Sequence, residues 1–162
     1  MAMLGDHDHD DGLRQVRTMI QGDVSEFLSA LGAREDDARL RRALDFVGGV
    51  HEVDVFDDDD EVATYLVVPD RGVDFLLVDG VLSTVFIYAT VNSEHAAYGA
   101  WPSLVHGVTA TDERDDVVRA LGEPKRSAAG YLLYETDQGF LQFDFEGETL
   151  TMAVVMARDV GA

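Results

Sequence analysis

Two imidazoles and three carboxylates fall within five residues near the start of the chain, His7-Asp8-His9-Asp10-Asp11. That mixture of nitrogen and oxygen donors suits zinc, nickel or copper. A working site also needs ligands fixed in space, and this run precedes the first periodic segment, so residues 1–11 are expected to be a disordered acidic tail. A second dense cluster, Asp57-Asp58-Asp59-Asp60-Glu61, invites comparison with a calcium loop. EF-hand loops place ligands at alternating positions around a central glycine and close on a distal glutamate. Consecutive carboxylates between two strand-like segments do not fit. They are expected to form a solvated hairpin tip, or an acidic prong that engages a basic surface.

Catalytic chemistry has little to stand on. His51, His95 and His106 are not at ligand spacing from one another and have no Ser, Asp or Glu neighbour in a catalytic pattern. Ser83, Ser93 and Ser103 lack a nucleophile-elbow context. No glycine-rich loop leads from a strand into a helix with a lysine, and the single lysine, Lys125, follows a helix end. The chain has no cysteine, which removes disulfides, thiolate zinc sites and cysteine nucleophiles. No catalytic residue, cofactor or metal is therefore assigned, and a non-enzymatic protein is expected.

Charge carries more information. Thirty-two acidic residues against twelve basic ones give a formal net charge of −20. Such a field repels nucleic acid and anionic lipid and favours basic partners. Acidity can equally serve solubility alone. Its distribution is uneven: residues 51–100 hold eleven acidic groups and one basic group, Arg71, which suggests a patch. The apolar runs are far too short to span a bilayer, and Asp6, Asp8, Asp10 and Asp11 stand where a signal peptide needs basic and apolar residues. A cytoplasmic location is the expectation.

The elements that must position any site follow from periodicity. From Gly12 to Gly49 apolar residues recur at helical spacing: Leu13, Val16, Met19 and Ile20; Val24, Phe27, Leu28 and Leu31 before Gly32; Leu40, Ala43, Leu44 and Val47 before Gly48-Gly49. Strand patterns replace them over His51–Phe56, Glu61–Val68, Val73–Val78 and Val81–Tyr88. Pro69-Asp70-Arg71-Gly72 and Asp79-Gly80 supply the turns of a four-stranded meander. Val73, Phe75 and Leu77 point one way and Asp74, Leu76 and Val78 the other; in the next strand Leu82, Phe86 and Tyr88 oppose Val85 and Ile87. Both faces are thus apolar, and the sheet is expected to be covered by the helices on one side and, on the other, by the second half of the chain or else by another protein.

A loop over Asn92–Gly107 holds the single tryptophan, Trp101. A helix over Asp112–Leu121 is capped by Thr111 or Asp112 and ended by Gly122 and Pro124. Strands over Tyr131–Glu135, Phe140–Phe145 and Thr149–Ala157 complete a second meander of three strands. Gln142 and Asp144 oppose Leu141, Phe143 and Phe145, giving that meander a more open outer face.

The halves resemble each other. Gly72 and Gly80 bracket a strand in the first, Gly139 and Gly147 in the second, and Ala30-Leu31-Gly32 parallels Ala120-Leu121-Gly122. The expected fold class is α+β, with N-terminal helices and two helix-plus-antiparallel-meander repeats, spanning 12–91 and 108–162 about a linking loop at 92–107. Gly107-Val108-Thr109, then Val117-Val118 and Leu121-Gly122-Glu123-Pro124, resembles the helix-opening motif of small lipoproteins of the SmpA/BamE type. In that family a three-stranded sheet follows the helix. A tandem pair of such units resembles the β-lactamase inhibitory proteins, and the layout is loosely similar to bacterial toxin-immunity proteins. These resemblances imply a fold whose members bind proteins.

Asp54, Asp57, Asp58, Asp59, Asp60 and Glu61, with Tyr88, Tyr98 and Trp101, are accordingly the expected partner-binding residues, unless Trp101 tucks into the seam between the halves. The expected function is an acidic protein-binding inhibitor, of the immunity type, that neutralises a basic toxin such as a nuclease. The alternative is a small enzyme or ligand-binding domain with a pocket between the two halves.

Overall fold

A computed structural model describes residues 20–49 and 51–159. The His7–Asp11 cluster and the first helical segment, apart from Ile20, lie outside them. Among the described residues a few short helices accompany one eight-stranded antiparallel sheet, an α+β arrangement dominated by the sheet.

The first helix, α1 (Val24–Leu28), buries Val24, Phe27 and Leu28. It stops short of Gly32, because Gly32 is used differently from a simple helix end. Its N–H donates to the carbonyl of Leu82 at 2.9 Å, and Leu82 N–H donates to Ala33 at 2.8 Å, so this segment is stitched to the sheet. The next helix, α2 (Ala38–Val47), begins at Asp37, whose carboxylate accepts from the N–H of Arg39 at 2.9 Å, and ends at Gly48 with φ +72°.

Strands β1 (Glu52–Asp57), β2 (Val62–Val68), β3 (Val73–Val78) and β4 (Val81–Tyr88) form the expected four-stranded meander. Asp79 and Gly80, at φ +52° and +81°, make the tight turn between β3 and β4. The 92–107 loop carries a single helical turn, α3 (Trp101–Leu104).

Helix α4 (Arg114–Leu121) follows. Its cap is Glu113, one residue later than expected, in a reciprocal box with Asp116. Asp112 is occupied elsewhere, accepting from Thr109 N–H at 3.0 Å and Thr109 Oγ1 at 2.8 Å.

The second meander has four strands, not three. The short β5 (Arg126–Ala128) precedes β6 (Tyr131–Glu135), β7 (Phe140–Glu146) and β8 (Thr149–Met156). The strand order is β1-β2-β3-β4-β8-β7-β6-β5. The meanders therefore join edge to edge, with Phe86 opposite Val154, and do not stack.

That junction corrects the expectation of a doubly covered first sheet. One face, carrying Val73, Phe75, Leu77, Leu82, Val85 and Ile87, packs with helix residues such as Phe27, Leu40, Trp101 and Val117 into one core. Leu82 lies on this face, not with Phe86 and Tyr88. A β-bulge across Leu76/Leu77 pairs Leu76 with Thr84 but Leu77 with Leu82, so Ser83 is an extra residue and the alternation shifts by one.

The opposite face is not roofed by the second half. On β2 to β4 it presents Tyr65, Val67, Leu76 and Phe86, all half-buried. In the second meander it carries half-buried Gln142 and Asp144, as expected, but also a small apolar cluster of Leu133, Val154 and Met156. After β8, Asp159 accepts from both terminal guanidinium nitrogens of Arg126 at 2.6 Å. This paired contact holds the Arg126 guanidinium above its ordinary value, with the Tyr131 hydroxyl adding to it.

Candidate functional site

A depression of about 590 Å3 opens on the face of the first meander that the helices do not cover among the described residues. Its position follows from register. Glu52 pairs with Val67 and Val67 with Asp74, while Asp54 pairs with Tyr65, so alternate residues of three strands share one side. Phe56 leans against Tyr65 edge-on, with ring centroids 5.8 Å apart.

Loop residues build the rest of the wall. Asn92 Oδ1 accepts from the N–H of Glu94 and of His95, both at 2.8 Å, and Asn92 N–H returns a bond to His95 O at 3.0 Å. The loop then anchors through Ala96 N–H to Pro69 O at 2.8 Å and Tyr98 N–H to Tyr88 O at 2.8 Å. It can come this close only because residue 72 is glycine. A Cβ there would meet Ala96 O at 2.4 Å and Tyr98 N at 2.7 Å, and φ is +70°.

Folding of this loop places His95 over the sheet. Its Nε2 lies 2.8 Å from Asp74 Oδ1, Tyr88 donates its hydroxyl to Asp74 Oδ2 at 3.0 Å, and the Tyr88 and His95 rings stack at 4.3 Å. Asp74 and His95 are both 7% exposed. A buried carboxylate is costly unless its lone pairs are satisfied, and here each oxygen has a donor. The His95 nitrogen facing Asp74 carries the hydrogen, since the carboxylate only accepts. Nδ1 is enclosed and has no partner among the described residues. Neither ring nitrogen is thus placed to take a proton from a molecule in the cleft. Burial, and next the negative charge of Asp74, hold the Tyr88 phenol well above its usual value, with smaller contributions from Glu94 and Tyr65.

The chemistry of the lining is one-sided. Four carboxylates border the cleft (Glu52, Asp54, Asp74 and Glu94) beside the rings of Phe56 and Tyr65, and among the described residues no lysine or arginine does. Asp74 is committed to His95 and Tyr88. Glu52, Asp54 and Glu94 form no ion pair among the described residues. The arrangement suits a group that is positively charged and partly apolar. Among the described residues no group of three or more His, Asp or Glu side chains is arranged to hold a metal ion.

The expected site residues divide into three. Asp54 lines the cleft, and Tyr88 braces it through Asp74. Asp57 to Glu61 form an exposed hairpin tip at the other end of β1, closed by Asp58 N–H to Glu61 O at 2.9 Å. Trp101 and Tyr98 do not serve as surface anchors. Trp101 is 1% exposed and donates its indole N–H to Tyr88 O at 3.1 Å; Tyr98 is 9% exposed. Both rings support the far side of the strand that carries Tyr88, since burying large aromatic area in the core outweighs displaying it. The sequence did not single out Glu52, Asp74, Glu94 or His95 as a group. The one local hint was Asp74, an acid inside an apolar strand.

Comparison with family models, with curated proteins and with solved structures returned no match. Among the described residues no helix is long and apolar enough to cross a membrane.

Proposed function

We propose that the chain works by binding a basic protein partner on the cleft-bearing face of its first meander, as an acidic inhibitor of the immunity type. The supporting observation is the cleft itself: two aromatic rings beside Glu52, Asp54 and Glu94, which form no ion pair among the described residues, with no described lysine or arginine in the wall. A cationic side chain entering it exchanges water for charge-assisted hydrogen bonds and ring contact. The net charge of −20 steers a basic partner towards that face and speeds encounter. A toxin such as a nuclease, whose active surface is basic to hold phosphate, is the partner class this fits. The tandem helix-plus-meander likeness to protein-binding folds points the same way, with the strand order symmetric about the β4–β8 junction.

The alternative of a small-ligand pocket between the halves has weaker support. The depression that bridges them, between Thr84 and Met156, is about 290 Å3, half the size of the acidic cleft. A cytoplasmic setting, where an antidote meets its toxin before export, belongs to the same proposal.

Co-purification from the native host provides the test. A single basic protein should be retained at low salt, released at high salt, and lost when Glu52→Gln, Asp54→Asn and Glu94→Gln are combined. Retention by that triple variant would refute the assignment of the cleft.

A further inference from the structure

Among the described residues, strand β1 is the edge of the sheet, with β2 as its one neighbour, and all six of its residues are exposed. Edge strands offer unpaired backbone N–H and C=O groups, which proteins usually guard with charge or a covering segment. Here the charge is uneven: two acids stand on one side, and one, Asp57, at the far end of the other. Glu52 and Asp54 face the cleft side, while Val53 and Val55, 56% and 58% exposed, face the helix side, where the helical layer does not extend over them. Phe56, 60% exposed, adds a ring on the cleft side. Three of the five large apolar side chains exposed among the described residues thus belong to this one strand.

From this edge we infer the mode of engagement: the partner adds an extended basic segment to β1 as a ninth strand. The inference rests on the proposed basic-partner function and specifies how the two chains meet. Backbone hydrogen bonds continue the ladder, and alternation assigns the side chains. Arginine or lysine residues of the added strand fall beside Glu52 and Asp54, and apolar residues fall beside Val53 and Val55. An arginine next to Asp54 also has the reach to lie over Phe56 and Tyr65 into the cleft, so edge and cleft act as one surface. A second copy of this chain is the disfavoured occupant, because Glu52, Asp54 and Asp57 would confront the same acidic strand under a charge of −20 on each molecule.

The experiment uses the full chain, isotope-labelled, titrated with a hexapeptide of alternating arginine and valine, a scrambled peptide of the same composition, and the alternating peptide with backbone N-methylation. The alternating peptide should bind about tenfold more tightly than either control and slow amide exchange in β1. Asp54→Lys should abolish that preference. Equal binding of alternating and scrambled peptides, or binding without protection of β1 amides, would overturn strand addition. If a basic host protein still binds in that case, the proposed function stands and only its mode falls; if no basic peptide or protein binds, both fall.

Discussion

His95 and Asp74, 21 residues apart in sequence, meet at 2.8 Å beneath the surface of the acidic cleft, and the Tyr88 hydroxyl occupies the second oxygen of the same carboxylate. This network joins the loop after β4 to the start of β3 and fixes the wall that carries Glu94. Among the described residues, one ring nitrogen of His95 faces Asp74 and the other is enclosed.

Removing the Tyr88 hydroxyl should therefore be felt in stability. Tyr88→Phe leaves the stacking on His95 in place but deprives a buried carboxylate of one donor. A loss of about 1.5–3 kcal/mol is expected in chemical denaturation. An unchanged midpoint would mean that Asp74 does not depend on this bond.

Gly72→Ala should be worse than its single methyl group suggests. The added carbon would stand 2.4 Å from Ala96 O, at a φ of +70° that already disfavours a side chain. Strain and loop displacement together should cost upward of about 2 kcal/mol and should shift the His95 ring resonances, because the same loop carries that residue. Normal stability with unmoved resonances would contradict the packing described.

Much of this architecture was legible in local pattern. Alternation in Val73–Val78 and the Asp79-Gly80 turn specify a hairpin on their own, and Gly48 and Gly122 mark helix ends by chemistry within one turn. What was not legible depends on distant partners. Pairing of Asp74 with His95 needs the loop to fold back, and nothing within a few residues of either announces it. The Ser83 bulge inverts the orientation of Leu82 without altering composition. Trp101 has the same identity whether it anchors a partner or fills a core, so only the fold decides. The edge-on joining of the meanders was hidden for a similar reason: apolar outer faces are equally compatible with stacking and with an open binding surface.

Trp101→Ala tests the corrected role of that residue. With the indole enclosed against β4, truncation should cost about 3–5 kcal/mol and affect partner binding only through unfolding. A stable variant that fails to bind would restore the tryptophan as a contact residue.

Asp144 supplies a pH prediction. Burial raises its carboxyl above the ordinary value of 3.8, opposed by the Gln142 side chain, which donates to Oδ1 at 2.8 Å. A carboxyl raised on folding holds its proton more firmly in the native state. Ionisation therefore subtracts stability, starting as pH climbs above 3.8 and reaching its full extent above the native value. Asp144→Asn, which keeps an acceptor for Gln142, should raise the melting temperature at neutral pH, and the gain should vanish as pH falls below 3.8. A gain that persists in acid would point to a cause other than ionisation.

The most direct measurement is a titration of the isotope-labelled protein with a short arginine-rich peptide at low and high salt. Resonances of Tyr65, Phe56 and Glu94 should shift together at low salt, with affinity falling by roughly tenfold or more in the Glu52→Gln, Asp54→Asn, Glu94→Gln variant. Shifts confined to the Asp57–Glu61 hairpin tip, or an affinity indifferent to those three substitutions, would show that the acidic cleft is not where a basic partner is held.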